Sequence, residues 1–84
     1  MVYIKESIQR DQMVVIQVDG ILDADSIPIL KSVCDRHLTG EKEILLNLEG
    51  LLHISREGID FLMDIPDRIR IVSLPKHTKL GIQE

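Results

Sequence analysis

The chain has 84 residues, 44% hydrophobic and 29% charged, with a formal net charge of -4. That length implies one domain, residues 1–84, with a modest core, and the composition excludes disorder. The acidic balance excludes a general attraction for nucleic acid phosphates, and the lone Cys34 excludes a disulfide within the chain.

Residues 2–7 read as a weak first strand, and the turn at 9–12 leads into Met13-Val14-Val15-Ile16-Gln17-Val18. That run is rich in β-branched residues, which fit a pleated surface, and antiparallel pairing across a short connection follows. Asp19-Gly20 is expected to close the strand. Asp25 or Ser26 is placed to cap a helix over about 27–38, with Pro28 in its first turn and Gly40 beyond its end. On a helical wheel Ile27, Leu30, Val33, Cys34 and Leu38 share one arc, so this helix lies on a sheet.

Ile44-Leu45-Leu46-Asn47-Leu48 reads as a central strand covered on both faces. His53 falls in a loop, Ser55 caps a second helix, and Pro66 ends that helix near Ile65. Residues 69–74 form one more strand, ended by Pro75. The order β-β-α-β-α-β predicts an α/β fold: a single small open mixed sheet of about four strands, with helices packed on one face. Tyr3 and Phe61 are the only aromatics, so Leu, Ile and Val must fill the core.

Residues suited to catalysis do not assemble. Gly20 and Gly58 stand alone, so no phosphate-cradling loop and no cofactor site are expected. His37, His53 and His77 lack partners at metal spacing beyond Cys34, and no metal site is expected. Capping explains Ser26 and Ser55 better than nucleophilic roles do, and Ser32 and Ser73 stand without a paired base. The second helix says more. Its wheel turns Ile59, Leu62, Met63 and Ile65 inward and Glu57, Asp60 and Asp64 outward, with Phe61 at the margin. Asp60 and Asp64 repel at i, i+4 by a few tenths of a kcal/mol. Either this face is simply solvated and tolerates the cost, or an acidic rim surrounds a partly exposed aromatic anchor for a partner.

The stretch ILLNLEGLLHISREGIDFLM, residues 44–63, resembles the signature segment of STAS domains. These are the cytoplasmic domains of sulfate transporters and the bacterial anti-sigma factor antagonists. Asn47-Leu48-Glu49-Gly50-Leu51 is similar to the family's strand end, Ile54 to the apolar residue before its Asp-Ser-Ser-Gly-Leu motif, and Gly58-Ile59 to the Gly-Leu within it. Upstream, Val18-Asp19-Gly20-Ile21-Leu22-Asp23 is similar to the Gly-x-Leu-Asp turn before the first helix, and the resemblance covers about residues 13–74. It implies a regulator that binds proteins and is switched by phosphorylation of a hydroxyl. Here Ser55 stands at the motif's Asp, and Arg56 and Glu57 stand at its two hydroxyl positions, so the usual acceptor is missing. Glu57 then sets a fixed negative charge near a helix N-terminus, while Ser55 is either a cap or itself a phosphosite.

The resulting expectation is a non-catalytic interaction module in the cytoplasm. Ser55, Arg56, Glu57, Asp60, Phe61 and Asp64 would meet a regulatory protein such as an anti-sigma factor or a kinase-like protein. No nucleic acid and no membrane insertion are expected. Family members continue with further elements where only residues 77–84 remain here, so sheet surface would lie uncovered and a homo-oligomer is expected, with residues 74–82 near the contact. The alternative is a structural subunit acting only as a homo-oligomer or within a larger complex; an enzyme ranks third.

Overall fold

Strand β2, Met13–Leu22, is the spine of the molecule in the computed structural model, which describes residues 2–10 and 12–75. On one side β1 (Val2–Arg10) pairs with it antiparallel, with Ile4 opposite Val18 and Glu6 opposite Ile16. On the other side β3 (Glu43–Asn47) and β4 (Leu51–Ile54) follow one another along it, both parallel. Strand β5 (Ile69–Ser73) joins β3 in parallel, opposite β2. Helix α1 (Ile27–Thr39) connects β2 to β3, and α2 (Arg56–Met63) connects β4 to β5. The open mixed sheet expected from the sequence is present, with β4 as a fifth, short segment where a loop containing His53 was expected.

Alternation along the strands sets the layers. Val14, Ile16 and Val18 of β2 and Ile44 and Leu46 of β3 point to one face and are fully buried. They form one cluster with Leu30 and Cys34 of α1 and Leu62 of α2. Val15, Gln17, Leu45 and Asn47 point the other way and stay half-exposed. Strand β3, expected to be covered on both faces, is therefore covered on one. Its apolar Leu45, on the open face, masks the period of two.

Asp19-Gly20 does not end β2. Gly20 has a φ of 97°, a conformation that suits glycine, and the register shifts between Gly20 and Ile21. Through this bulge β2 runs on to Leu22 and exchanges β3 for β4 as its neighbour.

The entry to α1 also differs from expectation. Ser26 makes no side-chain cap bond and takes helical backbone angles. Its hydroxyl lies 2.9 Å from the Ile21 carbonyl and 2.8 Å from Asp23 Oδ1, and its N–H donates to Asp23 Oδ1 at 3.1 Å. Asp23, rather than Asp25 or Ser26, supplies the organising oxygen. The Ser26 hydroxyl holds the Asp23 carboxyl below its ordinary range, because it favours the charged form.

Edge strand β1 is tied to α1 by Glu6. Its side chain stands on the helix face, opposite Ile16, and accepts from Arg36 Nη2 at 2.8 Å to each oxygen and from His37 Nε2 at 2.6 Å. Arg36 and His37 both sit in the last turn of α1, where the helix dipole also favours positive charge. An inward charge on an edge strand further discourages pairing with other chains. Residues 76–84, which include most of the expected homo-oligomer contact over 74–82, lie outside the described residues.

The hydrogen bond from His37 lowers the Glu6 pKa from its ordinary 4.5; burial opposes it, and Arg36 adds to the lowering. A depressed carboxylate pKa contributes stability that is present above the unfolded value and is lost as the pH falls through the folded one. Thermal melts from neutral pH downward should therefore show Glu6→Gln less stable than the wild type at neutral pH, with the difference shrinking as the pH falls below 4.5 and through the lowered folded pKa. A constant difference across the range would show that the contact does not depend on the carboxylate charge.

Candidate functional site

The β4–α2 junction is built on the carbonyl of Leu22, at the end of β2. Ser55 N–H donates to that oxygen at 2.9 Å. The Ser55 backbone is extended (φ -75°, ψ 173°), which turns its Oγ to accept from Gly58 N–H at 3.2 Å. This is the cap expected from the sequence, and it satisfies one of the free donors of the helix start. Gly58 is buried against the same carbonyl: a Cβ there would lie 2.8 Å from Leu22 O and 2.9 Å from Ile54 Cγ2. Glycine at this position lets α2 approach the sheet.

Gly58 and Leu62, one turn apart and both buried, define the inward line of α2. Phe61 and Ile65 then flank it on the α1 side, and Ile59 and Met63 on the β5 side. Of the six residues selected from the sequence, Arg56, Glu57, Asp60 and Asp64 are exposed. Ser55 is half-buried and engaged as a cap, and Phe61 is half-buried against the core. Phe61 belongs to the wall of a groove facing α1, which Glu57, Asp60 and Asp64 also line. Met63, expected to point inward, is 76% exposed, because the helix ends there and Leu62 already fills the inward position.

One residue was missed. Leu52 in β4, the strand that precedes α2, is 84% exposed. Leu51-Leu52 reads as apolar at both positions, but adjacent strand residues face opposite ways, so only one of them can be core. Sequence alone does not say which.

Two grooves flank α2. One, of about 330 Å³, lies against β5 and exposes Met63, Val72 and Leu74 at its sides. The other, of about 390 Å³, separates α2 from α1. Cys34 lies in its floor, where burial first, and Asp35 after it, push the thiol up to about 11. It therefore stays protonated at neutral pH, which suits a packing residue rather than a nucleophile. His37, three residues along, turns to Glu6 instead.

No family model and no curated protein sequence matches this one. Among solved structures, an anti-sigma factor antagonist from Mycobacterium paratuberculosis is similar to it, with a TM-score of 0.70 at 14% identity. The likeness spans 87% of this chain and 68% of that one. The chain has the STAS fold. At that identity the likeness is one of architecture. Within the STAS fold, the Ser55 junction occupies the place where the sequence resembles the family's motif, with Arg56 and Glu57 exposed at its hydroxyl positions.

The geometry distinguishes cap from packing. Ser55→Ala should cost about 1 kcal/mol. Gly58→Ala should cost more, about 1–3 kcal/mol, because a backbone carbonyl cannot rotate aside as a side chain does. Urea unfolding of both variants checks the order. A Gly58→Ala protein as stable as the wild type would mean that α2 shifts on the sheet without cost.

Proposed function

We propose that this chain is a non-catalytic docking module that binds a regulatory protein through the start and exposed side of α2, as a regulator of the anti-sigma factor antagonist kind. The observation that carries the reading is the β4–α2 apex. There Arg56 and Glu57 are exposed on a junction anchored to the sheet by Ser55 and Gly58, and Leu52 is exposed in the strand that leads into it. An exposed aliphatic side chain among charged ones on a fixed support is the composition of a docking patch. The STAS fold shared with an anti-sigma factor antagonist supports the same reading. The partner is a regulatory protein of the anti-sigma factor or kinase-like class. Docking is not gated by a phosphate here: the Ser55 hydroxyl is held in the cap, and Arg56 and Glu57 carry no hydroxyl. No helix among the described residues is long and apolar enough to cross a membrane, which supports work in the cytosol.

A second reading, self-association, is favoured by the groove beside β5, where Met63, Val72 and Leu74 are exposed along a sheet edge. One experiment separates the two. A photo-crosslinking residue replaces Arg56 in one variant and Tyr3, on the open sheet face, in another, and both are expressed in source cells. One heterologous regulatory protein should be trapped from position 56 and not from position 3. Adducts only between copies of this chain would move the assignment to a homo-oligomeric subunit, and equal trapping from both positions would end the docking reading at this apex.

A further inference from the structure

The α1–α2 groove has an apolar interior and a one-signed rim. Cys34 and Ile69 form its floor, and the half-buried Ile27, Leu38, Phe61 and Ile65 form its walls. Asp35, Glu57, Asp60 and Asp64 stand around it, all exposed, against one cation among the described residues, Lys31. None of these four carboxylates forms an ion pair among the described residues. Two of them stand where the fold gains nothing from them. Asp64 is the C-cap of α2 and Asp60 lies one turn before it, at the negative end of the helix dipole, with no basic residue in the last turn. They also repel each other at i, i+4. A cationic occupant relieves both penalties, and apolar walls with a low dielectric strengthen its attraction.

We infer that this groove receives a basic amphipathic helical segment of the partner protein, whose apolar side chains seat between Phe61, Ile65, Ile27 and Leu38 while its Lys or Arg residues meet Asp35, Glu57, Asp60 and Asp64. The inference rests on the docking reading above and specifies the chemistry of the docked element. Helix α2 has eight residues, about 12 Å of axis, so the groove holds about two turns of such a segment. The recognition mode is helix-in-groove, with anchors at i, i+3 or i+4, and i+7. The rim charges select the partner and speed encounter, and the apolar walls hold it.

The probe is a fluorescein-labelled 14-residue helical peptide with Leu at those anchor positions and Lys on its flanks, compared with a twin carrying Glu for Lys. Anisotropy titrations with the wild type should show the Lys peptide binding, more weakly as salt rises, and the Glu twin failing. Asp60→Lys/Asp64→Lys should weaken the Lys peptide by about tenfold or more and admit the Glu twin. Amide-resonance maps should place the shifts on α1 and α2, and thermal melting confirms that the variant is folded. Asp60→Asn/Asp64→Asn, which removes charge without reversing it, should fall between the two. Equal affinity for both peptides, or shifts confined to the open sheet face, overturns the inference. If the partner is trapped from position 56 yet does not protect the groove amides, docking at the apex stands and this assignment of the groove falls.

Discussion

The approach of α2 to the end of β2 is the constraint on which the β4–α2 end of the molecule depends. The Leu22 carbonyl receives the Ser55 N–H and lies against Gly58, so one backbone oxygen sets both the height and the start of the helix. With that distance fixed, Leu62 is the side chain that reaches the core. Phe61 and Ile65 must then line one groove, and Ile59 and Met63 the other. A Cβ at position 58 would push the helix outward and change both grooves together.

The second organising fact is that the core is one-sided. Alternate residues of β2 and β3 bury beneath two helices, while Val15, Gln17, Leu45 and Asn47 form a mixed, half-exposed opposite face. With so shallow a core, the polar ties at its margins matter more. Glu6 clips the edge strand to the end of α1, and Asp23 with Ser26 shapes its start. These are hydrogen-bonded contacts to charged groups, each stronger than an ordinary neutral one.

Where side-chain periodicity and cap chemistry agree, the sequence was sufficient. The valine-rich β2, the buried line of α1 and the Ser55 cap could be read residue by residue, as could the order of the elements before β4. What escaped has physical reasons. Gly20 looks like a strand end because glycine closes strands as readily as it kinks them, and only the neighbouring chain decides. Leu45 and Leu52 are apolar on open surfaces, which blurs alternation in short strands. On the candidate site, the exposure of Arg56, Glu57, Asp60 and Asp64 was legible from polarity alone. Phe61 is half-buried, as its marginal place on the wheel implied; Met63 was misplaced because an eight-residue helix gives a wheel little length to fix its inward line, and Gly58, not a large side chain, defines that line here. The absence of the usual hydroxyls was plain in the sequence, as was the cap at Ser55; the Leu22 carbonyl that holds the junction was not, because it comes from a strand distant in the chain.

The Gly20 bulge divides the molecule's cooperativity. Below it, the β3 segment is hydrogen-bonded on both sides, to β2 and to β5. Above it, β4 is four residues long and has β2 as its one partner strand among the described residues. β4 is thus held by fewer strand bonds than β3, and its attachment rests on Leu51 and Ile54 in the core and on the Ser55–Leu22 bond. Amide exchange along a single strand, β2, would then change regime between Val18 and Leu22. Any opening at the β4 end leaves the four-strand base closed, so the chain's cooperativity divides along one strand rather than between layers.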